Sequence, residues 1–420
     1  MLSYKRGTEI LTSQPFVCIT EKARRGQICD FCFSDSENLR RCSRCKILYF
    51  CGKKCQAAAW PDHKVECACL EKVSPDVPAN PVRFFARLLI KIKTTAAASQ
   101  TEAVFGQERS FADLMSHVEE IKRDAKRMAQ FQMLWVTARA FLGDEYLPSV
   151  EVGLEIFGKA SRELNTYTIG SYEECPIGTG LYIGPSILDH SCTPNAHAVF
   201  DGRTLLLRAA VDIECDSVDG IRISYIDLKE LRRTRIEELR ERYYFSCDCP
   251  RCSADEAHEY LTERSPSLTA EAKELLGEFM RADVHSKENL VRLRGLAEAF
   301  LSSNDLPATD VARSEALELL SKSCLEMGDF DAALPYYLDK LEAYRCCYGP
   351  YSPVYGVLLF TIAKLYHHKA QLPEAQRFFE KASEVVTVSH GRNHRLYRDL
   401  SEAFCHCKLE LQALVQDLSH

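Results

Sequence analysis

The chain has 420 residues, 46% apolar and 27% charged, the balance of an ordinary globular protein with room for about two to three domains. A net charge of −7 argues against wholesale coating of nucleic acid, which asks for a basic surface. No run of about 18 apolar residues predicts a membrane span, and Lys5, Arg6 and Glu9 break any secretory signal.

With no export signal, the 20 cysteines are expected to stay reduced and, where clustered, to bind metal rather than pair. Cytoplasm and nucleus are the expected locations. Charge is uneven: residues 1–70 hold 12 Lys/Arg against 7 Asp/Glu, so that stretch is +5 and the remainder −12. A basic end on an acidic body suits an acidic partner or a weak contact with DNA phosphates, and suits a plain solvated surface equally well.

The first predicted element is a metal finger. Cys29-x2-Cys32, Cys42-x2-Cys45, Cys51-x3-Cys55 and His63-x3-Cys67 make four chelating pairs between residues 29 and 67. Zinc takes four nitrogen or sulfur ligands in a tetrahedron, and a spacer of two or three residues lets two thiolates reach one ion. Eight ligands make two closed, structural sites, and a segment this polar folds on the metal's binding energy. We expect Cys29, Cys32, Cys51 and Cys55 on one ion and Cys42, Cys45, His63 and Cys67 on the other. The spacing also allows a sequential arrangement. Cys69 falls outside the pattern. With Tyr49, Gln56 and Trp60-Pro61-Asp62, the segment resembles the MYND finger. That resemblance implies a module for protein contacts, with proline-rich peptides as partners.

Residues 80–165 read as helical: Val82, Phe85, Leu88 and Leu89 recur at helical spacing, as do Phe111, Leu114, Val118 and Ile121, and the stretch from Ala125 to Phe141 continues the pattern. Residues 96–102 read as a loose connection. From Asn195 the period becomes two, and Asp201-Gly202 between apolar runs predicts a hairpin. A strand is predicted over 221–226, then a charged helix with Leu228, Leu231, Ile236, Leu239 and Tyr243 on its apolar side. It leads to Cys247, Cys249 and Cys252, one ligand short of a tetrahedral site, and Cys192 is the expected fourth.

Gly180-Leu181-Tyr182, the run Leu188–Asn195, Tyr225-Ile226-Asp227 and the closing Cys-x-Cys-x2-Cys resemble a SET domain with a post-SET zinc site. Joined to the finger, the chain resembles the SMYD family of protein-lysine methyltransferases from about residue 8 to the end. The resemblance implies an α+β fold: a SET-type β fold with an inserted MYND finger and helical insert, a post-SET zinc site, and an α-helical TPR-like C-terminal domain. The expected divisions are a partial N-terminal SET segment at 1–28, the finger at 29–67, the insert at 68–165, the SET core at 166–246, the post-SET segment at 247–260 and the helical domain at 261–420. Its implied cofactors are three zinc ions and S-adenosylmethionine, and its implied substrate is a histone or non-histone lysine. A monomer is expected.

By the same resemblance Tyr225 is the catalytic tyrosine, and Phe245 closes the lysine channel and stacks on the cofactor's adenine. Tyr167 lines that channel, and Asn165, Asp189, His190 and His117 stand at cofactor-binding positions. Four features depart from the family pattern. No Gly-x-Gly motif precedes Arg6-Gly7-Thr8-Glu9-Ile10-Leu11, which leaves half of the cofactor clasp unaccounted for. Asp189 replaces an asparagine, and an ionised aspartate only accepts hydrogen bonds, so it would repel the cofactor's carboxylate. His117 also replaces an asparagine. The stretch from Cys215 to Gly220 is longer than the family's turn. The alternative reading is a zinc-dependent adaptor or transcriptional regulator that has kept the fold and works through the finger and the helical domain. A DNA-binding regulator is a third.

Beyond Cys252 a helical pattern runs to the end. Residues 327–333 with Tyr337 echo residues 370–376 with Phe379, a small residue followed four positions later by an aromatic, the logic of tetratricopeptide-like hairpins. Cys324, Cys346, Cys347, Cys405 and Cys407 have no chelating pattern and read as core or surface thiols.

Overall fold

The computed structural model describes residues 1–94, 100–160, 165–254, 259–281 and 287–417. The chain opens with three short strands, β1 (Leu2–Tyr4), β2 (Glu9–Ser13) and β3 (Val17–Thr20). Each waits for a partner from far along the sequence. The finger follows, with β4 (Arg40–Arg41) paired to β5 (Tyr49–Phe50) and a long helix α1 (Lys53–Val73).

The insert begins with α2 (Asn80–Thr94), which buries Val82, Phe85, Leu88 and Leu89. Then comes an element that helical periodicity did not predict: a hairpin of β6 (Thr101–Val104) and β7 (Gln107–Ser110). Its turn residues Phe105 and Gly106 both have positive φ, 49° and 78°, the backbone a two-residue hairpin turn requires. Of the expected loose connection at 96–102, residues 95–99 lie outside the described residues, and Thr101 and Glu102 already belong to β6. Helices α3 (Val118–Arg123), α4 (Ala125–Leu142) and α5 (Val150–Ala160) complete the insert.

The SET-type core is built from β8 (Thr166–Gly170), β9 (Pro176–Leu181), β10 (Asp189–His190), β11 (Ala196–Asp201), β12 (Thr204–Ala209), β13 (Ile213–Cys215) and β14 (Arg222–Ile223). Two three-stranded sheets run β11-β12-β2 and β3-β9-β8, and β1 pairs with β13. The amino-terminal segment is thus woven into three sheets. The Asp201-Gly202 signal marks a real hairpin, with Asp201 opposite Thr204. Gly202 has φ +58°, and a Cβ there would run into the carbonyl oxygen of Cys32, so the finger rests directly on this turn.

The strand expected over 221–226 is shorter. Only Arg222 and Ile223 pair, in parallel with Asp189 and His190. The ladder stops because the backbone N–H of Tyr225 donates to His190 Nδ1 at 3.0 Å instead of to a strand. Helix α6 (Arg232–Tyr243) begins after Leu228 and Leu231, which are buried ahead of it. A short turn α7 (Pro250–Ser253), capped by Cys249, carries Cys252, and residues 255–258 of the post-SET segment lie outside the described residues.

Every described element beyond that point is helical: α8 (Pro266–Arg281), α9 (Lys287–Ser303), α10 (Val311–Glu326), α11 (Phe330–Asp339), α12 (Leu341–Tyr348), α13 (Pro353–His368), α14 (Leu372–Ser389) and α15 (Arg395–Asp417). Ala333 and Ala375, the small residues of the two echoes, are buried, and so are the aromatics four positions on, Tyr337 and Phe379. Cys324, Cys347 and Cys407 are buried, while Cys346 and Cys405 are exposed. The array docks back on the SET core through His394, whose ring nitrogen lies 2.9 Å from the Phe200 carbonyl, and Arg208, which donates to Val388 O at 3.1 Å.

One buried charge joins finger, insert and sheet. Glu66 on α1 is fully buried and takes Arg83 and Arg87 of α2 at 2.9 and 2.8 Å, while Arg87 also donates to Cys18 O of β3 at 2.7 Å. Burial alone would push this carboxyl up, but the two guanidiniums outweigh it and hold it well below the usual carboxylate range. Glu66→Gln removes the charge and leaves two arginines in the interior without their counter-ion. It should cost about 3–5 kcal/mol of stability, read as a lower urea midpoint. A loss within about 1 kcal/mol would mean that the charge does not hold these elements together.

Candidate metal centres and active site

The ligand atoms of Cys29, Cys32, Cys51 and Cys55 lie within 4.8 Å of one another, and so do those of Cys42, Cys45, His63 and Cys67. This is the interleaved arrangement. Cys32 and Cys51 sulfurs are 3.7 Å apart, as are those of Cys42 and Cys67, and Cys45 Sγ is 3.7 Å from His63 Nε2. An ion holding sulfur at about 2.3 Å in a tetrahedron sets its ligand edges at about 3.8 Å, so these sets have the dimensions of zinc sites. The free nitrogen of His63 faces Glu66 at 3.5 Å, the carboxylate–histidine arrangement that orients a metal-bound imidazole. Cys69 belongs to neither set.

The third set joins two remote segments: Cys192, from the loop after β10, meets Cys247, Cys249 and Cys252. Cys192 and Cys252 sulfurs are 3.5 Å apart. Behind them Arg235, fully buried and paired with Glu259 at 2.6 Å, points a guanidinium nitrogen at Cys252 Sγ from 4.0 Å. Positive charge there suits a cluster of thiolates.

His190 connects this metal set to Tyr225. Its Nδ1 accepts the Tyr225 N–H, so the ring hydrogen sits on Nε2, which is 3.3 Å from Cys192 Sγ. Burial pushes the imidazole down to about 4, so it stays neutral and keeps that tautomer. The Tyr225 hydroxyl donates to the Leu188 carbonyl, at the head of the same loop. Burial, with Asp189 adding to it, raises this phenol above its ordinary value, and it keeps its proton at neutral pH.

Aromatic rings gather around Tyr225. Tyr243 lies 5.0 Å from it, centroid to centroid, and donates its hydroxyl to Tyr225 O at 3.0 Å. His190 is at 5.4 Å and Phe245 at 6.5 Å, edge-on. Tyr167 stands on β8 with its hydroxyl on Pro185 O at 2.9 Å. Tyr167, Tyr225 and Tyr243 line a cleft of about 390 Å³ whose rim reaches Pro353 of α13. Here the helical array walls one side of the SET core.

The other expected cofactor positions fare differently. Asn165 is buried, and its amide nitrogen donates to Met115 O and Lys159 O at 2.8 and 3.0 Å, tying β8 to the insert. His117 takes a left-handed backbone (φ 48°) ahead of α3 and packs its ring 5.3 Å from Tyr244. Asp189 pairs with Arg222 at 2.7 Å. The sequence reading missed Arg222 and placed Tyr243 only on the apolar side of a charged helix. Arg222 stands between two isoleucines as any outward charge on a strand would, and nothing local ties it to Asp189. Tyr243-Tyr244-Phe245 was the available signal, three aromatics running straight into the cysteines.

Cys192→Ala should lower zinc content by one ion per chain and increase hydrogen exchange across residues 243–252. Unchanged zinc content would exclude Cys192 as a ligand.

A MYND finger model matches residues 29–67, and a tetratricopeptide repeat model matches 312–387. Histone-lysine N-methyltransferase SMYD3 of Mus musculus is 31% identical over 97% of this chain and 94% of its own length, and its Homo sapiens counterpart is 32% identical with the same coverage. N-lysine methyltransferase SMYD2 of Mus musculus is 26% identical over 94% of this chain and 92% of its own. Likeness at that level across nearly the whole length, together with the finger, the SET-type core and the helical repeats, means that the chain belongs to the SMYD family.

Proposed function

We propose that this protein is a lysine N-methyltransferase that uses S-adenosylmethionine and acts on histone or non-histone proteins. The observation that carries the reading is Tyr225, a protonated phenol among aromatic rings, anchored through His190 to a four-cysteine site. The residues present suit the cofactor. Tyr244 has a buried hydroxyl with no hydrogen-bond partner beside His117, Phe245 is only half-buried against His190 and Tyr225, and Asp189 and Arg222 offer opposite charges. Bound there, S-adenosylmethionine would supply a methyl group activated by a sulfonium.

This chain's residues would do three things. The cleft dries the incoming lysine and so lowers its pKa from about 10.4. The faces of Tyr167, Tyr225 and Tyr243 favour a cation at the entrance and confine the amine to one line of approach. The Tyr225 hydroxyl orients the reacting groups; because it keeps its proton, it is not the base that takes the lysine's. The finger would dock proline-rich segments, and the protein would work as a monomer in cytoplasm and nucleus.

Tyr225→Phe should slow methyl transfer to a histone mixture by about 100-fold or more while zinc content stays unchanged. Wild-type protein that carries its zinc and transfers no methyl group to any protein acceptor would instead support the adaptor reading. With no protein base at the amine, kcat/KM should rise about tenfold per pH unit between about pH 7 and 9 as the neutral lysine fraction grows. A plateau beginning below that window would point to a base in the protein.

A further inference from the structure

Asp189 and Arg222 lie opposite each other on the parallel pair β10–β14, with Nη1 2.7 Å from Oδ2. Their next neighbours, His190 and Ile223, turn inward and are buried, so both charges face outward on one side. Neither is used up by packing: the side chains are 59% and 36% exposed. The backbone beneath them is rigid. Asn195 accepts the Arg222 N–H at 2.8 Å, donates its own N–H to Arg222 O at 3.1 Å, and donates its amide to Gly220 O at 2.7 Å. The pair is also close to Tyr225: Asp189 raises and Arg222 lowers the pKa of its phenol, the carboxylate opposing and the guanidinium favouring ionisation.

A single aspartate beside a bound amino acid would hold its ammonium and repel its carboxylate. A guanidinium at 2.7 Å removes that objection, because its planar fork holds a carboxylate through two parallel hydrogen bonds. An α-amino acid carries both charges on neighbouring atoms, and a half-exposed Asp–Arg pair is its complement. The adjoining wall of His190, Phe245 and Tyr225 is aromatic, suited to a purine rather than to a second charge.

We infer that Asp189 and Arg222 act together as the receptor for the zwitterionic amino-acid end of an S-adenosyl compound, Asp189 accepting from its ammonium and Arg222 donating to its carboxylate. This rests on the methyltransferase reading above. It makes the exchange of asparagine for Asp189 one half of a coupled change whose other half is Arg222.

Titration calorimetry on the zinc-loaded full chain separates the two claims. The probes are S-adenosylhomocysteine and 5′-methylthioadenosine, which shares the nucleoside and lacks the amino acid. In Arg222→Met, S-adenosylhomocysteine should bind about tenfold more weakly or worse, the worth of one charge-assisted hydrogen bond. Methylthioadenosine affinity should change by about twofold or less, since that ligand meets neither charge. Adding Asp189→Asn to Arg222→Met should recover part of the loss, because it removes the unpaired anion. Equal weakening of both probes, or of neither, would overturn the pair's role while leaving the cofactor site standing. Failure of the wild type to bind either probe would overturn the methyltransferase reading and the pair's role with it.

Discussion

Four thiolates from two distant stretches of chain, Cys192 on one side and Cys247, Cys249 and Cys252 on the other, meet at one point. Thiolates at that spacing repel one another unless a cation sits among them, so metal binding is what brings the post-SET segment back to the core. The geometry of the cleft depends on that closure. Phe245 and Tyr243 enter the ring cluster because the chain is about to reach Cys247, and Tyr225 is held because His190, two residues from Cys192, takes its N–H. Metal, histidine and tyrosine form one mechanical chain.

The same economy appears at the finger. Its two metal sets fold a segment that has little core of its own, and Glu66 then ties its long helix to the insert and the sheet through two arginines. Gly202 meets it from the other side, where the hairpin turn touches the Cys32 carbonyl. The finger is therefore packed into the body of the protein from two sides. On the far side, the helical array docks on the core through His394 and the contact of Val388 with Arg208, and it reaches the rim of the cleft at Pro353.

Much of this was legible in the residues. Cysteine spacing announced the finger, period-two alternation around Asp201-Gly202 announced the hairpin, and the small-then-aromatic echo announced the stacked helices, because each is a local rule written in consecutive residues. What was not legible is what depends on side chains meeting across the fold. The strand at 221–226 looked continuous because Ser224 and Tyr225 suit a strand; a histidine thirty-five residues away in sequence takes the hydrogen bond that would have extended it. The hairpin at β6–β7 was hidden because Phe105 stands in a left-handed turn position where glycine or asparagine is the usual signal. Asp189 looked like a defect for the same reason: its partner Arg222 lies on another strand, and a charge pair cannot be read from one member.

The most direct test of this account is native mass spectrometry of the full chain purified without chelator. Three zinc ions per chain, with the post-SET ion the last to be retained or lost as a unit with order in residues 243–252, is the result that follows from three closed ligand sets. A protein that holds two ions and keeps residues 243–252 as well protected from hydrogen exchange as the rest of the core would show that packing alone closes the cleft, and would contradict the account.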